Sequence, residues 1–344
     1  MNAIIWDGES MPVCRTVPIP VPGEGEVLLH ILRAGICGTD LSILSGSHPR
    51  AEAPLILGHE LAARVAALGS GVHEDTRAGL AVGSLVTIEP IITCGECVAC
   101  KSGFPHVCSS LKLYGIDVPG GMAEFMTVAA DRIVPARNGM DPDLVVMAEP
   151  LAVAIHAVRL SGIRYGDSVC VIGGGPIGLL IALVARKTTP KDILVSEPQE
   201  SRRKIASDLG LKPVDPTERS IEDVVGDCTE GRGMDICFES AGSQPAIDSS
   251  TRVLRPRGTL IQVSMPKNTR TFNLVDLTFK ELIVRGVRVY EAMDFEKALD
   301  YICESPELFR LFMPRLYEMN EVTEAFEAAK KGDEGLRVIF RTGD

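Results

Sequence analysis

The run Val169-Cys-Val-Ile-Gly173-Gly-Gly175-Pro176-Ile177-Gly178 limits what this 344-residue chain can fold into more than any other stretch. Four residues of strand character lead into a G-x-G-x-x-G turn, and an apolar helical segment follows. Each glycine has a mechanical job in such a unit: a tight turn, close backbone approach to a pyrophosphate, and tight helix–sheet packing. The helix N-terminus adds the positive end of a dipole. A Gly-rich turn alone is weak evidence. Here the next apolar run, ILVSE, ends on Glu197, 19 positions after Gly178, where a carboxylate can hydrogen-bond a ribose diol. Glu197 would also repel a 2′-phosphate, which favours NAD over NADP, although Arg202 and Arg203 just beyond it would suit a phosphate. The uncharged stretch Val169–Ala185 is split by Gly-Pro and is too short to span a bilayer.

Helical patterns alternate with further apolar runs at Ile193–Ser196, Met234–Glu239 and Thr259–Val263, the signature of βαβ units and a parallel sheet. The fold class is therefore α/β, with residues 151–285 as a Rossmann, doubly wound parallel-sheet domain. Residues 1–150 read differently: short strands at Glu26–Arg33, Leu61–Leu68 and Leu85–Ile91, separated by Gly and Pro, describe a β-rich domain. The tail 286–344 holds two amphipathic helical patterns, Asp294–Ile302 and Val322–Lys330, and the strand-like Leu336–Phe340. It is too short for a domain of its own and is expected to complete the first.

Cys94, Cys97, Cys100 and Cys108, in a lobe at 90–112, have C-x2-C-x2-C-x7-C spacing. Four soft thiolates this close suit a closed tetrahedral zinc site, with disulfides or an iron–sulfur cluster as the alternatives. MNAIIWDGES lacks the pattern of a signal peptide, so a cytoplasmic location and reduced thiols are expected, which favours metal. The remaining cysteines (Cys14, Cys170, Cys228, Cys237, Cys303) read as small core residues. A net charge of −11, with no basic run interleaved with aromatics, argues against a nucleic-acid partner.

Three further segments carry metal-ligand residues beside glycine or proline: Gly35-Ile-Cys37-Gly-Thr39-Asp40, Gly58-His59-Glu60 and Ala148-Glu149-Pro150. Singly, each has an ordinary reading as core thiol, turn cap or solvated charge. Together with the cysteine lobe, EPLAVAIHA and GGGPIG, they make the chain resemble the zinc-dependent medium-chain alcohol dehydrogenase family, in its polyol (sorbitol) dehydrogenase branch, over essentially its whole length.

The resemblance implies a GroES-like catalytic domain interrupted by the Rossmann domain, two zinc ions per chain, and NAD. It assigns the catalytic zinc to Cys37, His59 and Glu149, with Glu60 bound at rest or through water. The cysteine lobe holds a structural zinc. Thiolate and carboxylate neutralise Zn²⁺, leaving a site that takes an alkoxide and expels hydride to the nicotinamide, while Thr39 passes the proton outward. The cofactor would be lined by Gly173, Gly175, Pro176, Ile177, Gly178, Glu197, Arg202, Val263, Ser264, Met265, Arg288, Val289 and Tyr290. His48 and Tyr290 stand as substrate candidates. A homodimer or homotetramer is expected.

Three departures bear on substrate. Ser42 occupies the place of a relay histidine, Ala63 replaces a glycine, and Arg288-Val289-Tyr290 keeps only the tyrosine of a Phe-Arg-Tyr segment. The expected substrate is a polyol or sugar derivative. Alternatives are a threonine 3-dehydrogenase-like activity, a sugar-acid, sugar-phosphate or aminocyclitol dehydrogenase, or, in another class, a non-catalytic cofactor-binding protein.

Overall fold

Strand Glu26–Gly35 organises the first half of the fold. It pairs antiparallel with Glu60–Leu68 on one side, and with Phe125–Ala129 and Ile339–Arg341 on the other. In this computed structural model all residues are described except Ser10, Thr76, Arg77, Gly79, Pro190, Lys267, Pro314, Asp333, Glu334 and Asp344. The chain divides into two units, Met1–Glu149 with Glu291–Asp344, and Pro150–Tyr290.

In the first unit, Leu85–Ile88 and Ile133–Pro135 extend the sheet beyond Glu60–Leu68, and Leu316–Glu318 flanks Ile339–Arg341. The sheet register sets Gly35 opposite both Glu60 and Ile339. The last strand therefore delivers residues from the end of the chain to the place where Glu26–Gly35 runs out. It begins later than the apolar run Leu336–Phe340 suggests, because the amides of Leu336 and Arg337 bond the carbonyl of Phe312 instead of entering the ladder. The expected strand Leu85–Ile91 is likewise split, into Leu85–Ile88 and Ile91–Ile92. Pro90, with no N–H to donate, sits at the break. The second piece pairs with Lys112–Leu113 and closes the base of the cysteine lobe.

The second unit is a six-stranded, wholly parallel sheet in the order Lys212–Val214, Ile193–Ser196, Val169–Ile172, Met234–Glu239, Leu254–Gln262, Ile283–Gly286. Strand order runs outward in both directions from Val169–Ile172. That strand and Met234–Glu239 thus flank the topological switch point, where open α/β sheets bind ligands. Buried Cys170, Ile172, Leu194, Cys237 and Leu260 form part of one apolar core under the sheet. Every residue of the edge strand Ile283–Gly286 is exposed. Among the described residues no helix is long and apolar enough to cross a membrane.

Candidate functional site

The sheet register builds the first cluster. Cys37 follows the strand Glu26–Gly35, whereas His59 and Glu60 open the antiparallel neighbour Glu60–Leu68, so the two loops meet at one end of the sheet. One ligand atom each from Cys37, His59 and Glu60 lies within 4.8 Å of the others. The Cys37 amide donates to Asp40 Oδ2 at 2.7 Å, which fixes the turn that presents the thiol. Thr39 Oγ1 lies 3.7 Å from Cys37 Sγ.

The electrostatics of this cluster call for a cation. Burial pushes the Cys37 thiol up, and the Asp40 carboxylate adds to the effect; Arg337 opposes them, and Glu149 raises the thiol further. Without a positive charge at the sulfur, the thiol keeps its proton. His59 Nδ1 and Glu60 Oε1 are buried with no hydrogen-bond partner. Orphaned buried acceptors are costly, and a soft thiolate, an imidazole and a carboxylate together suit zinc. The donor set therefore fits the metal. Glu149 is buried in the first turn of the helix Ala148–Ser161 and is felt at Cys37, but it does not join the trio of ligand atoms.

Sequence reasoning missed Arg337. Its side chain is 4% exposed and ion-paired to Glu60, itself 1% exposed. The last strand brings it there, and Gly35 makes the room: a Cβ on Gly35 would sit 2.5 Å from Glu60 Oε2 and 3.3 Å from Arg337 Nη2. An arginine inside the apolar run LRVIF was the available signal. Ser42 spends its hydroxyl on the Gly38 carbonyl at 3.1 Å, one helical turn back. The His48 ring is held by the amides of Arg50 and Ala51, which donate to Nδ1 at 3.4 and 3.2 Å and leave Nε2 as its N–H. Burial, then Arg50, lower its pKa.

The cysteine lobe gathers Cys94, Cys97, Cys100 and Cys108, again with ligand atoms within 4.8 Å. All four are free thiols, and the Sγ–Sγ separations are 3.9 Å for Cys94–Cys100 and Cys97–Cys108 and 3.5 Å for Cys94–Cys108. Backbone amides aim at the sulfurs: those of Glu96 and Cys97 at Cys94, and that of Cys94 at Cys108. The amides of Cys100 and Ser109 hold the Cys97 thiol down to about 5. A cage of N–H groups pointing at sulfur is prepared for thiolates and hence for a closed zinc site.

In the second unit the fingerprint folds as its glycines require. A Cβ on Gly178 would lie 1.9 Å from the Gly173 carbonyl oxygen, so helix and turn touch with no side chain between them. Gly175 is the N-cap of the helix Pro176–Arg186, and Gly175, Pro176 and Ile177 remain partly accessible around its amino end. This cradle fits a pyrophosphate. Glu197 is buried and accepts from the amides of Gly174 and Gln199, at 2.8 and 2.9 Å. Arg202 Nη1 lies 3.9 Å from its carboxylate. Arg203 is engaged elsewhere: it pairs with Asp215 at 2.7 Å and donates to the carbonyls of Glu197 and Pro198. Val263 and Ser264 donate their amides to the Glu239 carbonyl, while Met265 is exposed. Arg288 is exposed, Tyr290 is buried, and Val289 between them has φ of +53°, an unusual conformation for a β-branched residue.

Against known proteins, residues 23–138 match the family described as alcohol dehydrogenase GroES-like domain, and residues 176–304 match zinc-binding dehydrogenase. A 2-dehydro-3-deoxy-L-galactonate 5-dehydrogenase of Pseudoalteromonas atlantica is 36% identical over 92% of each chain. The chain belongs to the zinc-dependent medium-chain alcohol dehydrogenase family. This dehydrogenase is also 34% identical to an L-threonine 3-dehydrogenase of Pyrococcus furiosus, over 94% of this chain and 93% of the other. A solved zinc-binding dehydrogenase from Sinorhizobium meliloti, bound to NADP, superposes with a TM-score of 0.87 at 29% identity, covering 99% of this chain and 98% of that one. The dehydrogenase thus has the α/β fold read from its sequence, with GroES-like and Rossmann parts, and it uses zinc and a nicotinamide dinucleotide.

Proposed function

We propose that this dehydrogenase oxidises a secondary alcohol of a polyhydroxylated chain, a sugar acid or polyol, to the ketone, with NAD as hydride acceptor. The observation that carries the reading is the Cys37–His59–Glu60 trio, in which the buried His59 and Glu60 carry orphaned acceptors. Cys37, His59 and Glu149 would hold the reactive zinc, and Glu60 would bind it in exchange with water. Zinc, when bound, supplies Lewis acidity that lowers the pKa of an alcohol, and the nicotinamide supplies the hydride acceptor. Arg337 neutralises Glu60 from behind, so the carboxylate is not forced onto the metal. Thr39 Oγ1 takes the alcohol proton and hands it outward; Ser42, bonded to its own helix, does not take part. The His48 Nε2–H serves as a donor to a substrate hydroxyl or carboxylate. The cysteine lobe braces the unit and has no open position for a substrate.

NAD is favoured because Glu197 places its carboxylate at the glycine turn and Arg203 is committed to Asp215, leaving Arg202 beside a carboxylate instead of free for a phosphate. A homo-oligomer in the cytoplasm completes the reading. Ile283 and Val284, 48% and 41% exposed on the edge strand of the parallel sheet, support self-association. The test is NADH formation across sugar acids, sugar alcohols, their phosphates, cyclitols, butanediol and L-threonine, with and without a chelator. Chelator-sensitive turnover fastest on a sugar acid or polyol is expected. Fastest turnover on L-threonine would transfer the assignment to the threonine reading. No turnover on any secondary alcohol at full zinc occupancy would sink both.

A further inference from the structure

Glu239 is a fully buried carboxylate that none of these steps uses. It ends the strand Met234–Glu239, one of the two that flank the switch point of the parallel sheet. Its Oε1 accepts from the amides of Ala241 and Gly242, at 2.9 and 2.7 Å. Its Oε2 accepts from Gln262 Nε2 at 2.6 Å and from the Ser264 hydroxyl. All four donors are neutral, and among the described residues no lysine or arginine forms an ion pair with it.

The turn it pins lies against the fingerprint. A Cβ on Gly173 would sit 2.9 Å from the Ala241 amide nitrogen and from Ser240 Oγ, and that hydroxyl donates to the carbonyls of Ile172 and Gly173. A dinucleotide lies across the carboxyl ends of such a sheet, one half on each side of the switch point. Glu197, on the strand Ile193–Ser196 side, takes the adenine ribose in the reading above. The nicotinamide half then falls on the side of Glu239 and Ser264.

We propose that Glu239 is a positioning residue with an electrostatic role: its unneutralised charge favours the cationic nicotinamide of NAD⁺ over the neutral ring of NADH. Burying a carboxylate without a paired counter-ion is expensive. Arg270 reaches this turn but donates its Nε to the Gly242 carbonyl and not to Glu239, and an oxidised nicotinamide is a partner of opposite charge that this edge of the sheet would receive. The hydrogen bonds alone explain an acceptor with two oxygens here. The charge has a consequence they do not, namely a change in the ratio of the two cofactor affinities.

The inference rests on the dinucleotide reading of the glycine turn, and the experiment separates the two. Dissociation constants for NAD⁺ and NADH are measured by NADH fluorescence and its displacement on the full-length protein, with folding checked by circular dichroism. Glu239→Gln should weaken NAD⁺ relative to NADH roughly three- to tenfold, the size expected of one charge acting through a partly polar medium. Gln262→Ala loosens the same network but keeps the charge, and should leave the ratio unchanged. Gln262→Lys neutralises Glu239 in place and should reproduce the ratio change even if Glu239→Gln does not fold. Equal weakening of both nucleotides by the charge-altering variants, or no change, would reduce Glu239 to a loop brace. A wild-type protein that binds neither nucleotide would overturn the dinucleotide reading itself.

Discussion

Arg337 shows how much one side chain can decide at the residue scale. Its pairing with Glu60 is almost wholly shielded from water, so in the zinc-free protein removing Arg337 leaves Glu60 a buried carboxylate without its counter-ion. Arg337→Ala should cost about 3–5 kcal/mol in denaturant unfolding. Adding Glu60→Gln to that variant should restore much of the loss, because the stranded charge is then gone. A double variant no more stable than Arg337→Ala would mean the arginine acts through packing alone. Cys37, His59 and the fingerprint glycines were legible in the sequence because each sits in a short local motif whose spacing is itself the chemistry. Arg337 was not, because it is nearly 280 positions from Glu60 in the chain and only the pairing of Gly35 with both Glu60 and Ile339 brings the two together. Glu239 escaped notice for a different reason: a glutamate ending a strand resembles any strand terminus until its four donors are seen.

Among the elements, the parallel sheet was the most readable, since short, largely apolar runs of four to six residues separated by helical patterns have few other solutions. The clip at its amino end was not readable. Asp235, near the start of Met234–Glu239, accepts from the Ser168 amide and hydroxyl, both at 2.7 Å, and from Arg255 Nε at 2.6 Å. It thereby ties together the entrances to the strands Val169–Ile172, Met234–Glu239 and Leu254–Gln262. Burial alone would push its carboxyl up, but the Ser168 bonds and Arg255 outweigh that and bring it down to about 2 from an ordinary 3.8. A carboxyl depressed on folding stabilises the native state above its unfolded pKa, and the contribution fades as pH falls toward the folded value. The window here is therefore pH 4 down to 2, and because the group is partly exposed and screened by solvent its contribution is about 1 kcal/mol. Urea titrations across that range should show a steep acid limb for the wild type and a shallower one for Asp235→Asn. Parallel limbs would place the acid sensitivity in other carboxylates.

At the scale of the whole molecule, the two kinds of ligand belong to different units. The Cys37 trio and the cysteine lobe lie within Met1–Glu149, and the glycine turn within Pro150–Tyr290. A ligand that binds only the folded state stabilises whichever unit must be folded to hold it, by about 2.7 kcal/mol at a hundred times its dissociation constant. Calorimetry should therefore show NAD⁺ raising the melting of the second unit, while chelation lowers that of the first. The two zinc sites should also separate under chelation. A closed four-thiolate cage releases its ion more reluctantly than a site with an exchangeable position, so mild chelator should abolish turnover with only a modest fall in the first unit's melting, and the larger fall should come when the cage is stripped. Cys100→Ser attacks the cage directly and should lower the melting temperature first, with activity lost only as the unit unfolds. A Cys100→Ser protein that keeps its melting temperature but loses turnover would place the lobe in the chemistry. One transition moved equally by zinc and by NAD⁺ would mean that the discontinuous unit and the nucleotide unit melt as a single body.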